Sequence, residues 1–600
     1  MAIDSIPRRL FQTASRRGDA PAYFVKTGGS WHPTSYREYA DEVRKATRAL
    51  VGLGFGKGHT SCILGFNRPE WIIFDVATMA AGGAPAGIYT TCSAPEVQYI
   101  IDHSEAEIVL LENADQWKKV DAERANLPRL RHVVMMKGAP EIDDELVMSW
   151  EAFLEKGDGV AAEVVDERLD QLEEGQIATF IYTSGTTGPP KAVMLTHKNL
   201  SWTATKAMEI AGQTGDDWSV SYLPLSHIAE QMFSIHGPIT AGSHLYFAES
   251  IELVAENLKE VQPTIVFGVP RIWEKMHAKV AAGLGEATGV KKKIAEFAMR
   301  AGREVTDARN HGRPLGNRLK LRYAIANKLV FSKLKPKMGL GNARMCVTGA
   351  APIASEILEF FAGLDLTIHE VYGQSEDCGP TSFNLPGQTR YGTVGPPLTG
   401  TEVKIADDGE ILVRGPHVFL GYYKDEAATN EALIDGWLQS GDLGEIDGEG
   451  YLRITGRKKE IIITAGGKNI APKNIEAAIK NLPLVAQAVV IGDRRKFLSA
   501  LVTLDPEAAE AYADKHGLAK ADLHANPTVV AEIDKGINER VNPLFARVEH
   551  VRKFTLLHRD FTVDDGELTP TLKIKRKPVN EHFAGEIEAM YAEAKAKASK

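Results

Sequence analysis

The sequence predicts an α/β chain: a large body of mostly parallel sheet, an antiparallel β region, and a compact C-terminal α+β unit. Three observations predict it. Apolar strands alternate with helical patterns of roughly ten or more residues through the first half. After Thr393, Asp-Gly and Glu-Gly turns separate strands with alternating polarity. After Gly456 comes a strand, a glycine turn, a helix and two further strands.

Taken in order, the first 150 residues carry helical patterns over Tyr36 to Leu53 and Pro95 to Ser104, between the apolar runs SCILGF, AEIVLL and RHVVMM. Trp71 to Tyr89 is the most apolar stretch, but Asp75 and the Gly82-Gly83 break interrupt it. It therefore reads as a core helix running into a strand, not a bilayer span. Strand signals continue in DWSVSYLPL, HLYFA, TIVFGVP and ARMCVTGA. From Glu274 to Met338 the chain turns Ala-rich and Lys/Arg-rich, which predicts a helical insertion between two strands, its charges forming a solvated face. DGEILVRGPHVFLGYY and GEIDGEGYLRITGR predict the antiparallel region. RKKEIIITAGGKNIAPKNIEAAIK and AQAVVIGDRRKFLSALVTL predict a unit able to fold alone. The expected domains are 1–455 and 456–600, and the last residues, AKAKASK, are expected to fray.

Hydrophobic residues make up 44% and charged residues 25%, the balance of an ordinary globular protein. Seventy lysines and arginines against 79 acids leave a net charge of −9, so no global basic field exists to collect nucleic acid. The four cysteines lie far apart with no metal-ligand spacing and read as buried thiols of a reducing, cytoplasmic compartment. The start, MAIDSIPRRLFQ, has no apolar secretion signal, and any membrane contact is expected to be peripheral.

The strongest local feature is Ile181 to Lys191, an apolar strand feeding a turn that holds Thr183, Ser184, Gly185, Thr186, Thr187, Gly188 and Lys191. Glycines let backbone N–H groups approach a polyphosphate, hydroxyls add donors, and the lysine offsets charge. A GxxxxGK[ST] phosphate loop is excluded, because Pro190 and Ala192 stand where that pattern needs glycine and a hydroxyl. On composition alone the stretch also fits a surface turn.

YTSGTTGPPKAVMLTH resembles the AMP-binding signature of the acyl-adenylate-forming superfamily. In the superfamily's order follow LPLSHI (223–228), GAAP (349–352), YGQSE (372–376), SGDLG (440–444), GRKKE (456–460) and LKI (572–574). Flanking segments such as GFNRPEW, SYLPLSHIAEQM and LTPTLKIKR resemble the long-chain acyl-CoA synthetases of the bubblegum type. The resemblance spans nearly the whole chain. It implies a large N-terminal domain of two parallel or mixed α/β sheets plus the antiparallel subdomain, and a small, mobile C-terminal domain.

It also implies ATP, Mg²⁺ and CoA as reactants or cofactors and a long-chain fatty acid as substrate. Under it, Thr183 to Gly188 and Lys191 cradle phosphate, Glu376 holds the metal, and Tyr372 meets adenine beside Glu370, Gly373 and Ser375. Gly349, Ala350 and Ala351 approach the ring or the acyl chain; Asp442 and Arg457 take the ribose and phosphate. His227 edges the acyl pocket. Lys573 is the adenylation lysine, with Leu572 in place of the commoner glycine. Lys459 is the hinge, and Gly466 and Gly467 line the CoA route. Phe267 and Trp273 fit either the acyl channel or the core. Two other functions stay open: an acyl-AMP ligase serving a carrier protein, and a non-catalytic lipid-binding scaffold.

Overall fold

The computed structural model describes residues 2–183, 189–563, 565–569 and 573–596. Ser184, Gly185, Thr186, Thr187, Gly188, Leu572 and the last four residues lie outside them. An eight-stranded sheet forms the first layer. Its parallel part contains Ile177–Thr183, Ala84–Ile88, Thr60–Leu64, Ile108–Leu111, His132–Met135 and Val147–Ser149. Lys191–Thr196 and Gly421–Tyr422 extend it antiparallel at one edge.

Helix starts are written into the sequence. Ser35 and Glu38 form a reciprocal capping box at the head of helix Tyr36–Gly52, satisfying otherwise unpaired N–H groups. Trp71 to Tyr89 resolves into helix Pro69–Ala80, whose residues from Glu70 on are buried, followed by strand Ala84–Ile88. A helix buried on every side has no polar face, which explains its resemblance to a membrane segment. No helix among the described residues is long and apolar enough to cross a membrane.

Two four-stranded sheets make the next layer, each parallel except for one strand. They meet edge to edge where Thr264 N donates to Trp218 O (3.0 Å). The insertion lies between strands Ile265–Gly268 and Met345–Thr348 and is helical, with helices Pro270–Gly285, Gly289–Asn310, Asn317–Ala326 and Ser332–Lys337. Trp273 settles into the core: it is fully buried, its Nε1 donates to Gly268 O (3.0 Å), and its ring packs against Phe361. Phe267 stacks on Phe233 at 4.6 Å. All four cysteines are free and buried.

The antiparallel sheet contains Glu402–Ile405, Glu410–Arg414, Leu433–Ile434, Trp437–Ile446 and Leu452–Arg457, and the chain leaves it after Arg457. Beyond it, hairpin Ile462–Ile463/Asn469–Ile470, helix Pro472–Lys480 and strands Val485–Ile491, Leu498–Leu504 and Val551–Leu556 enclose a separate apolar cluster. Arg271 of the insertion reaches Asp505 of this C-terminal body at 2.9 Å.

His197 and His236 are fully buried, and their ring nitrogens find no hydrogen-bond partner among the described residues. Burial pushes His197 down to about 4 and His236, with Arg9 adding to the effect, down to about 3. Unfolded histidine titrates near 6.5, so below that pH the unfolded chain takes up protons that the folded chain refuses. The stability these histidines contribute is complete above about pH 6.5 and is lost as pH falls toward 4. His236→Leu should flatten this acid slope by up to ~1.4 kcal/mol per pH unit, measured by denaturant unfolding at pH 7 and pH 5. An unchanged slope would clear His236 of that role.

Candidate active site

The site collects at the ends of strands from three sheets. Thr183 and Lys191 are register partners in adjacent antiparallel strands, which holds these two residues side by side. Lys191 Nζ sits 4.8 Å from the centre of the Tyr422 ring and 3.7 Å from Asp425 Oδ2. Tyr422 is there because Gly421–Tyr422 pairs with Met194 and Val193, more than 200 residues earlier in the chain.

Glu376 lies in the turn Ser375–Asp377 that follows strand Ile368–Tyr372. Its Oε1 accepts the Tyr422 hydroxyl (2.8 Å), and its carbonyl accepts Phe419 N (2.8 Å). Fully buried Asp377 tightens the turn, accepting Gln374 N (2.6 Å) and Thr381 Oγ1 (2.7 Å). Gly373 is obligatory, since a Cβ there would lie 1.4 Å from Gly379 O. Gly349 is similarly confined by Val371. Ala350 is exposed at φ +67, a left-handed conformation costing a side chain about 1 kcal/mol, and Ala351 is exposed beside it. Glu370 accepts Gly392 N (3.2 Å), and burial raises its carboxyl to about 8.

Asp442 and Arg457 are partners across two antiparallel strands. Asp442 Oδ2 accepts the buried Tyr372 hydroxyl (3.0 Å), and Arg457 Nε approaches Oδ1 at 3.4 Å. Burial raises the Asp442 carboxyl, with Arg457 and the Tyr372 bond opposing it. Burial also works against the Arg457 charge, but Asp442, Glu460, Glu376 and Tyr372 outweigh it.

Lys573 comes from the C-terminal body, next to the antiparallel bridge between Leu568 and Ile574. Thr569 N donates to its carbonyl (2.7 Å), and its own N–H donates to Thr569 Oγ1 (3.0 Å). Beneath, fully buried Glu567 takes two Arg559 hydrogen bonds at 2.7 Å and one from His582 (2.9 Å). Lys573 keeps one side exposed, yet the protein crowding its ammonium, together with Arg457 and Lys473, lowers its pKa, while Asp442 and Glu376 oppose that. The lysine thus shares one electrostatic neighbourhood with the two carboxylates. His227 caps helix Ile228–Gln231 by accepting Ala229 N (3.1 Å); burial, then the Lys573 charge, lowers it to about 4. Lys459 is exposed and approaches Glu431 at 4.0 Å. Gly466 and Gly467 form the exposed tip of the hairpin Ile462–Ile463/Asn469–Ile470.

Sequence reasoning missed Tyr422, Asp425, Lys473 and Glu460, the last two an ion pair at 3.1 Å beside Asp442. Glu460 closes the GRKKE motif without having been given a role; no local motif marks the others, and the nearest signal for Tyr422 and Asp425 is the alternation in GYYKD. Among the described residues, no group of three or more His, Cys, Asp or Glu gathers to hold a metal. Glu376 nevertheless suits Mg²⁺, which commonly takes one or two carboxylates and completes its shell with water and substrate phosphates.

The arrangement sets a cation from a second body in the electrostatic field of carboxylates of the first. Residues 10–423 match the AMP-binding enzyme family and residues 459–595 the C-terminal domain of AMP-binding enzymes, so the chain belongs to that family. It is 38% identical to the long-chain-fatty-acid–CoA ligase ACSBG2 of Xenopus laevis, over 98% of this chain and 84% of that protein. It is equally 38% identical to the long-chain-fatty-acid–CoA ligase FadD15 of Mycobacterium bovis, over 98% and 97%. Among solved structures, the anthranilate CoA ligase AuaEII in complex with anthranoyl-AMP shares the fold at TM-score 0.73 and 20% identity, over 98% of both chains. The A-PCP didomain of a carboxylic acid reductase from Segniliparus rugosus, in complex with AMP, does so at 0.75 and 20%, over 99% and 83%.

Asp442→Ala should weaken AMP binding at least about tenfold in calorimetric titration, and Tyr372→Phe, which removes one hydrogen bond, about fivefold. Parental affinity in both variants would take this carboxylate out of the nucleotide site.

Proposed function

We propose that the chain is an ATP- and Mg²⁺-dependent long-chain fatty acid:CoA ligase working through an acyl-AMP intermediate. The observation that carries this reading is Lys573, brought from a separate body into the same field as Glu376, Asp442, Arg457 and His227. Relatives named long-chain-fatty-acid–CoA ligases, aligned along 98% of the chain, support the substrate class.

In the first step the fatty carboxylate attacks the α-phosphate of ATP, forming acyl-AMP and releasing pyrophosphate. Two anions must approach each other, so the protein's task is charge neutralisation and positioning. Lys573 sits between the carboxylate and the α-phosphate and offsets the developing charge. Lys191, with the loop Thr183 to Gly188, receives the phosphates. Asp442 accepts both ribose hydroxyls, Arg457 takes ribose and phosphate oxygens, and Tyr372 lies on adenine with Gly349, Ala350, Ala351, Glu370, Gly373 and Ser375 around it. Glu376 would hold Mg²⁺, which supplies electrostatic stabilisation to the leaving pyrophosphate. Tyr422 orients that carboxylate.

In the second step the CoA thiol attacks the acyl carbonyl, AMP leaves, and the thiol proton is lost as acyl-CoA forms. The small body, residues 456–600, turns about Lys459 between the steps, and Gly466 and Gly467 admit the thin pantetheine arm. His227, neutral above about pH 4, stands at the edge of the acyl pocket. We further place the protein in the cytoplasm, with only peripheral membrane contact.

The test supplies palmitate-class acids, ATP, Mg²⁺ and CoA and follows AMP and acyl-CoA. Both should appear together; AMP formation indifferent to CoA would favour an acyl-AMP ligase, and absence of both across chain lengths would refute the reading. Lys573→Ala should cut adenylation at least about a hundredfold while partly retaining thioester formation from supplied acyl-AMP. Equal loss of both half-reactions would remove Lys573 from the role assigned to it.

A further inference from the structure

The helical insertion departs electrically from the rest of the chain. Residues 289–338 carry fourteen lysines and arginines against three acids, in a protein whose net charge is −9. Some of these cations are spoken for: Arg322 forks onto Glu304 (2.7 and 3.0 Å), and Arg309 and Lys335 share Asp365 (2.6 Å each). Lys291, Lys292, Lys293, Arg318, Lys320 and Lys328 are exposed and take no ion pair among the described residues. Holding like charges together without partners opposes folding, so their placement calls for a partner outside the chain.

The same surface is apolar where a solvated helix would not be. Leu321, Ile325 and Leu329 follow one another at four-residue steps and are 65%, 42% and 42% exposed. Residues at that spacing share one helix face. The opposite face is already used, with Ala326 and Phe331 packed against Ala298 and Ala301 of the neighbouring helix. Val290, at the head of that helix beside Lys291 to Lys293, is 73% exposed.

An apolar stripe flanked by basic side chains is the pattern of a helix lying in the plane of an anionic bilayer surface, its stripe in the acyl boundary and its cations among the headgroups. We propose that helix Asn317–Ala326, with its continuation through Leu329 and the lysines at 291–293, is the docking surface by which this protein lies on an anionic membrane. An acidic protein would satisfy the cations but leave the leucine and isoleucine side chains unexplained. The choice of a lipid surface rests on the proposed handling of long-chain acids, which partition into bilayers.

The test is cosedimentation of the full chain with vesicles of phosphatidylcholine alone and of phosphatidylcholine mixed with phosphatidylglycerol, at low and high salt. The parent should bind the mixed vesicles, release them at high salt and ignore the neutral ones. The triple change Leu321→Ser, Ile325→Ser, Leu329→Ser and the double change Lys320→Glu, Lys328→Glu should each lower partition at least about tenfold. Both variants should release AMP from a water-soluble medium-chain acid at the parental rate, which shows them folded. Parental partition by either variant, or failure of the parent to bind mixed vesicles, overturns the proposal. So does binding to polyglutamate that equals vesicle binding and survives the triple change, which would indicate an acidic protein. If the parent activated no acid at all, the proposed reaction would fail while the vesicle measurement still stood.

Discussion

Two tyrosine hydroxyls hold the site together. Tyr372 donates to Asp442 and Tyr422 to Glu376, each fixing one oxygen of a carboxylate drawn in from water; Arg457 approaches the second oxygen of Asp442. Without its bond the buried Asp442 carboxyl would be pushed further toward the protonated form, Glu376 would lose the contact that orients it, and the cations Arg457, Lys473 and Lys573 would lose the fixed acids they assemble around. The tyrosines come from different sheets, so the geometry of the site depends on the packing of the layers beneath it. The large body acts in this sense as a jig for two carboxyl groups.

The cation that completes the cluster is supplied differently. Lys573 stands on a loop whose base is a buried carboxylate, Glu567, gripped by Arg559 and His582. A buried charge with that many partners makes a stiff anchor, because loosening any one of them leaves the others uncompensated. The lysine's N–H and carbonyl are held by the Thr569 hydroxyl and N–H, and its ammonium lies in the electrostatic field of Asp442 and Glu376.

Much of this was legible in the sequence where the physics is local. Ser35 and Glu38 announce a helix within four residues, and the Gly82-Gly83 break separates a helix from a strand. The motif positions Glu376, Asp442, Arg457 and Lys573 do converge. Their partners could not be read, because Tyr422 reaches Glu376 only through a strand pairing with residues 193 and 194, and Lys473 meets Glu460 only through the folding of the C-terminal body that sets helix Pro472–Lys480 against the segment after Arg457. The burial of Trp273 also escaped the sequence: an aromatic on the first turn of a helix fits a channel wall or a core equally well until the neighbouring Phe361 is placed. The insertion's basic run was expected to be solvated, and its charges are largely exposed; the leucine stripe beside it becomes visible only when the helix's inward face is known.

Lys458 and Lys459 are adjacent and chemically identical, yet mechanically opposite. Lys458 is moored to Asp408 (2.6 Å) and Glu410 (2.7 Å) on the antiparallel sheet, whereas Lys459 projects into solvent. Under the proposed rotation of the small body, torque is reacted at the first and is dissipated in the dihedral angles of the second. In that proposal the sheet serves as a bearing and a pair of ion contacts as its collar, so the proposed pivot is located by what immobilises its neighbour.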